Sequence, residues 1–322
     1  MEAAETVVDG VHRITAPLGE RFMCAYVVTG PALTVLVDTG VASTPSETLL
    51  PAIDGLGVAP DLVIISHADF DHHGGNAPLS EAFPSARFAC HPADRAQIED
   101  PGLLVAERYG EFVPRYGVAP DPAGDRDVLA QTTAVPIDVE LRGGETLDVG
   151  DGRRIDVLHV PGHSRGHLTL WDSRTATAIV ADAVLGDTLR TTDGAAAFPP
   201  TYRYVDDYRA STRSIRALGA RRLLTSHFPV LEGDAVDAFL DLTERFTDAV
   251  ERELLRELSG AAAPPTLDEL IDALAPRLGS WPAAGARFLS HPLAGHLEAL
   301  QDQGRVRRIE ADGGPPRFAL LP

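Results

Sequence analysis

Five side chains within seven residues, His67, Asp69, Asp71, His72 and His73, can each bind a divalent metal, as a neutral imidazole or as a carboxylate. They lie in Ser66-His67-Ala68-Asp69-Phe70-Asp71-His72-His73-Gly74-Gly75. The preceding run, Leu62-Val63-Ile64-Ile65, reads as a buried strand of a largely parallel sheet, and Gly74-Gly75 lets the backbone turn sharply. The ligand-rich loop therefore sits at a strand's carboxyl end, where α/β folds place their chemistry.

Upstream, residues 6–15 alternate around Asp9-Gly10, and 24–28 and 33–37 are apolar β-rich runs split by Thr29-Gly30-Pro31-Ala32. The meander ends at Val37-Asp38-Thr39-Gly40, and 45–56 has helical spacing. Downstream, 77–83 reads as a short helix and 87–90 as a strand. Between 101 and 136, prolines at 101, 114, 120, 122 and 136 break the pattern, and an irregular excursion serving as a substrate lid is expected. Strands return at 145–149 and 155–160, followed by a second glycine-flanked loop, Pro161-Gly162-His163-Ser164-Arg165-Gly166-His167. The runs 168–171, 178–180 and 222–225 read as further strands, the last two ending in Ala181-Asp182 and Ser226-His227. Helices are expected at 208–218 and, from the spacing of Val236, Phe239, Leu242, Phe246, Val250, Leu254 and Leu258, along a long amphipathic stretch. After a linker at 259–265, Thr266 and Glu269 form a capping-box pattern, a second helix spans 291–303, and 306–309 pairs with 317–321 in a hairpin.

Composition narrows the function. The 322 residues, 44% hydrophobic, suffice for one large domain with an appendage. The formal charge of −19, with every cation an arginine, disfavours nucleic acid and anionic membrane, leaving small-molecule substrates. Cys24 and Cys90 form no CxxC pair and read as buried free thiols; neither has a flanking base, and no G-x-S-x-G elbow is present, so serine or cysteine nucleophiles are not expected. The acidic amino terminus lacks the features of a signal peptide and no apolar run approaches a membrane span, so a cytoplasmic protein is expected.

Taken in order, Val37-Asp38-Thr39-Gly40, the loop 67–75, Pro161-Gly162-His163-Ser164-Arg165-Gly166-His167, Asp182 and His227 resemble the motifs of the metallo-β-lactamase fold superfamily, a group of mostly hydrolytic metalloenzymes. The resemblance covers about residues 5–235 and implies an α/β fold, the αββα sandwich, with a metal site at one edge between two sheets. It implies that His67, Asp69 and His163 hold one ion, that Asp71, His72 and His227 hold the second, and that Asp182 bridges them, with Asp71 also orienting water or passing its proton. One departure stands out: the family pattern His-x-His-x-Asp-His has Asp69 in place of its second histidine. Two divalent ions are expected, zinc first, with iron or manganese raised by the added oxygen ligand.

The carboxyl-terminal segment resembles the winged-helix module of some β-lactamase-like hydrolases and thioesterases, giving a catalytic domain at 1–260 and a module at 261–322. From Thr266 onward six Arg face seven acidic residues, which favours a structural or homodimer-forming role over DNA binding. The leading expectation is hydrolysis of a thioester, ester or lactone by metal-bound hydroxide at a dinuclear site. Its alternatives are an iron-dependent oxygenase or redox enzyme and a metal-poor binding protein. Among the remaining residues, His73 is expected beside the ligands or facing solvent, His167 to orient its loop, and Asp38 to support a ligand histidine. His12, His91, His159, His291 and His296 read as ordinary histidines, while Tyr202, Tyr204 and Tyr208 either line the cleft or pack beneath a loop.

Overall fold

Alternation along the strands builds two stacked sheets with helices outside them. The computed structural model describes residues 4–321; Met1 to Ala3 and Pro322, which belong to the expected amino-terminal and carboxyl-terminal segments, lie outside the described residues. The first sheet runs in chain order: β1 (Glu5–Val8), β2 (Val11–Leu18), β3 (Arg21–Val28), β4 (Val35–Val37), β5 (Leu62–Ile64), β6 (Arg87–Cys90) and β7 (Val139–Glu140). It is antiparallel through β4 and parallel from β4 to β7, so the strand before the histidine loop has parallel neighbours on both sides.

The second sheet contains β8 (Thr146–Gly150), β9 (Arg153–His159), β10 (Leu168–Asp172) and β11 (Thr177–Ala181). A small ribbon, β12 (Leu189–Arg190) with β13 (Ala196–Phe198), follows, and then β14 (Arg222–Thr225) and β15 (Leu231–Glu232) complete that sheet in the order β15-β14-β11-β10-β9-β8. Side chains one residue apart on a strand point to opposite faces. On β3, Cys24, Tyr26 and Val28 thus pack between the sheets against Val157, Leu170 and Leu224. Ala25 and Val27 face outward, in a layer with Leu49, Ile53 and Leu79 from the helical segments 45–56 and Asn76–Ala82. On the second sheet's outer face, Ala178 and Val180 meet Ile215 of helix Val205–Ala217 and Leu240 of helix Asp234–Gly260. The layers are αββα.

The stretch 101–136 is mostly helical, contrary to the irregular excursion read from its prolines. Pro101 and Pro122 open helical turns, where a missing N–H costs nothing, behind Asp100 and Asp121 whose carboxylates accept backbone N–H bonds. These prolines start helices; they do not break them.

The segment after residue 260 contains helices Leu267–Leu278 and Ser290–Asp302 and the hairpin β16 (Val306–Ala311) and β17 (Gly314–Leu320). Thr266 and Glu269 form both bonds of the capping box. Its apolar residues Leu270, Leu293, Leu297 and Phe318 share one core with Val250 and Leu254 of the long helix and with Tyr202 and Phe112. No helix among the described residues is long and apolar enough to cross a membrane.

The second histidine loop depends on Gly162. Its φ of +144° suits glycine, a Cβ there would lie 2.4 Å from Tyr208 Cα, and its carbonyl accepts N–H bonds from Arg203 and Tyr204, both at 2.8 Å. Gly162→Ala is expected to destabilise the protein by about 1–3 kcal/mol, read as an earlier midpoint in urea unfolding; an unchanged midpoint would show the loop to be tolerant.

Candidate metal centre

Four loops deliver the residues singled out above. His67, Asp69, Asp71 and His72 follow β5, His163 follows β9, Asp182 follows β11 and His227 follows β14. One potential ligand atom from each of His67, His163 and Asp182 lies within 4.8 Å of the others, and the same holds for Asp71, His72 and His227. The two groups touch through Asp182, whose Oδ2 is 3.2 Å from His227 Nε2 and 3.6 Å from His72 Nε2. Within the first, the Nε2 atoms of His163 and His67 are 3.1 Å apart. Within the second, Asp71 Oδ2 is 3.5 Å from His227 Nε2. Asp69 Oδ2 lies 2.8 Å from His163 Nε2 and 3.4 Å from His67 Nε2, so the three residues expected to share an ion converge as well.

The donors suit a divalent ion. All six ligand candidates are buried, and His72 Nε2 and Asp182 Oδ1 have no hydrogen-bond partner among the described residues. A buried polar atom normally has one, so these atoms are directed at something a cation can satisfy. Imidazole and carboxylate together fit zinc, iron or manganese.

Electrostatics point the same way. Burial and the adjacent His72 hold His67 well below its ordinary pKa, in the neutral form that binds metal. For His72, burial is outweighed by Asp38, Asp182 and Asp71, and for His227 by Asp182 and Asp71, so both are raised. In the ion-free fold these protons therefore stabilise the protein below the unfolded value of 6.5, and that contribution is lost as pH rises through the raised values. An arriving ion must displace them. Ion binding at pH 7 is expected to release on the order of one proton, with affinity falling as pH is lowered. Calorimetry in two buffers of different ionisation heat tests this, and equal apparent heats would contradict it.

The profile of the Metallo-beta-lactamase superfamily matches residues 21–227 of the chain. The chain belongs to the metallo-β-lactamase superfamily. A Gallus gallus protein named acyl-coenzyme A thioesterase MBLAC2 is 28% identical over 213 residues, covering 63% of this chain and 70% of that protein. A hydroxyacylglutathione hydrolase of Synechococcus sp. (strain JA-2-3B'a(2-13)) is 31% identical over 158 residues, covering 49% of this chain but only 44% of its own length. Among solved structures, the metallo-beta-lactamase family protein TTHA1429 from Thermus thermophilus superposes with a TM-score of 0.76 over 98% of this chain and 100% of its own, at 22% identity. That likeness shows the fold and reaches into the carboxyl-terminal segment. The chain is a metallo-hydrolase of this superfamily.

The loops that carry the candidate ligands are held by buried carboxylates. Asp38 Oδ2 lies 2.8 Å from His72 Nδ1 and accepts the Ser66 hydroxyl, whose oxygen lies 2.9 Å from His67 Nδ1. One carboxylate thus orients a histidine of each group. Asp38 itself has φ +66°, and Ala181, which aims Asp182, has φ +45°, left-handed conformations that cluster at sites held by their surroundings. Asp38→Asn is expected to weaken ion binding about 10–100-fold, measured by competition with a chromophoric chelator; unchanged affinity would reduce Asp38 to a loop-folding role.

Three residues not singled out in the sequence complete the surroundings. Asp94 accepts the backbone N–H of Ala68 and Gly166 and the hydroxyl of Ser164, tying the two histidine loops together. Arg108 grips Asp69 with Nε to Oδ1 at 2.9 Å and Nη2 to Oδ2 at 3.1 Å, and Tyr109 donates its hydroxyl to Oδ1 at 2.9 Å. Burial would raise Asp69, but Arg108 and the two histidines hold it well below the usual carboxylate range.

The remaining histidines divide by burial. His73 is fully buried, with no solvent-facing character, and burial lowers it to about 4. His167 stacks on His67 with ring centroids 4.6 Å apart. His291 and His296 are core residues, whereas the rings of His91 and His159 stack on each other away from the centre. Tyr202 and Tyr208 stack in the core, and Tyr204 packs beneath Arg165.

Proposed function

We propose that this metallo-hydrolase cleaves a thioester in a small molecule, with carboxylic esters and lactones as the neighbouring substrate classes, at a two-ion centre. The observation that carries the reading is the meeting of two buried three-residue groups at Asp182. The thioester preference is supported by two relatives named as an acyl-CoA thioesterase and a hydroxyacylglutathione hydrolase. In this reading His67, His163 and Asp182 hold one ion with Asp69 beside it, and Asp71, His72 and His227 hold the other, with Asp182 between them.

When bound, the ions lower the pKa of water and polarise the acyl carbonyl. The chain's own groups do the rest. Asp38 and Ser66 fix the tautomers of His72 and His67 by occupying their Nδ1 atoms. Asp71, 7% exposed and facing His227, is placed to orient the attacking water and accept its proton. The water oxygen joins the acyl carbon, the carbon–sulfur bond breaks, the proton taken up by Asp71 passes to the leaving sulfur, and the thiol leaves with a carboxylic acid that ionises to solvent. The net charge of −19 agrees with a small substrate over a long polyanion. The chain is read as a catalytic unit at 1–260, which contains the whole family match at 21–227, and a module at 261–322.

The test is turnover of a panel of acyl thioesters, aryl esters and lactones by zinc-loaded protein. Hydrolysis of at least one thioester is expected. Silence across all three classes would overturn the reading, and oxygen consumption by iron-loaded protein would replace it with redox chemistry.

A further inference from the structure

Asp69 stands where the superfamily's motif has a histidine, and both of its oxygens are already committed. Oδ1 accepts from Arg108 Nε and from the Tyr109 hydroxyl, and Oδ2 accepts from Arg108 Nη2. The same Nη2 lies 3.1 Å from Nε2 of His163, the atom facing His67 Nε2. His163 Nε2 also lies 2.8 Å from Asp69 Oδ2, which is 3.4 Å from His67 Nε2, so the guanidinium, always charged, sits directly against the cluster where an ion would be held and opposes its positive charge. Arg108 is 5% exposed and its Nη1 donates to the carbonyl of His163 at 2.9 Å, so the head group is fixed from three sides. Three residues on, Glu111 is bound by the buried Arg203, which also binds Glu298 of helix Ser290–Asp302, bracing the segment against the carboxyl-terminal module. The Asp71, His72 and His227 group has no arginine within its hydrogen-bonded contacts among the described residues.

We propose that Arg108 makes the two ion sites unequal: by holding Asp69 and reaching His163 Nε2, it turns the His67, His163 and Asp182 site into the weak, exchangeable one and leaves Asp71, His72 and His227 as the tight one. Arg108 is a positioning residue, acting on the ion through Asp69 and His163. The assignment rests on the reading of the two groups as ion sites, and it does not depend on which substrate is hydrolysed. It also gives the helical segment Leu104–Tyr109 a specific task. Without Arg108, Asp69 Oδ2, already beside both histidines, would be free of its competing donor and the site would lose a positive charge, and both changes favour a cation.

The experiment is titration of chelator-stripped full-length protein with Zn2+ by calorimetry, and with Co2+ by visible absorption, neither of which needs a substrate. Wild type is expected to bind two ions in separable steps at least tenfold apart in affinity. Arg108→Gln is expected to tighten the weaker step at least tenfold while the tight step stays fixed, which also reports that the variant is folded. In the double variant Asp69→Asn with Arg108→Gln, the weak step is expected to return to within a fewfold of wild type, because a neutral pair has replaced the ion pair. Two steps of equal affinity in wild type overturn the proposal without recourse to any variant. An unchanged weak step in folded Arg108→Gln, or a double variant more than tenfold weaker than wild type, overturns it by showing Asp69 already serving the ion. No binding at either site would instead contradict the metal reading itself.

Discussion

Replacing His72 by alanine is expected to lower kcat/KM by roughly 10³-fold, a loss of several kcal/mol of charge stabilisation at the reacting carbonyl. The ring is shared between two tasks. Nδ1 is anchored 2.8 Å from Asp38, and Nε2, without a hydrogen-bond partner among the described residues, points between Asp182 and Asp71. In the proposed reading alanine removes the central donor of the second group and leaves Asp71, His227 and an Asp182 shared with the other ion, a set that holds an ion less firmly. Asp38 keeps its two bonds to Ser66, so the loop retains its anchor and the variant should fold. Steady-state kinetics beside circular dichroism check both halves; a folded His72→Ala protein with near-normal turnover would remove this group from the chemistry.

Asp182→Asn is expected to weaken both ions together, each by about 100-fold or more given that a ligand is lost and not merely its support. The amide keeps the shape of the carboxylate but forfeits the charge that, in the proposed reading, the two sites share. Its position between His227 and His72 on one side and its place in the His67 and His163 group on the other make it the common element. Titration should therefore show both steps moving in Asp182→Asn and mainly one in His72→Ala. Movement of a single step in the asparagine variant would show that Asp182 serves one ion and does not link the two.

Much of this arrangement is legible in the sequence because it is local. A strand of apolar residues followed by His67-Ala68-Asp69-Phe70-Asp71-His72 carries its own chemistry, and Pro161-Gly162-His163, Ala181-Asp182 and Ser226-His227 repeat the pattern of a strand handing a ligand to a loop. The capping box at Thr266 and Glu269 is equally short-ranged and equally visible. What the sequence conceals is pairing across distance. Asp69 announces a need for a counter-charge once it replaces a histidine, yet nothing local says that Arg108, 39 residues on, supplies it. Asp94 is similarly silent, because its value lies in holding the N–H groups of Ala68 and Gly166, which come from two separate loops. The helices between 101 and 130 are obscured for a different reason: proline reads as a breaker unless the aspartate before it is recognised as a cap.

The burial of His73 has the same origin. Its neighbours in sequence are candidate ligands on an apparently polar loop, but the short helix Phe70–His73 turns it inward, fully away from solvent. Polar composition does not reveal which face of one helical turn meets the core.

The measurement that tests the central claim most directly is hydrolysis of an acyl thioester by protein stripped of ions with a chelator and then reloaded stepwise with Zn2+. Negligible turnover in the stripped protein, and recovery that follows ion occupancy, is the predicted result. Undiminished turnover by protein shown by elemental analysis to be free of metal would contradict it, and would mean that the buried groups around Asp182 serve the fold and not the reaction.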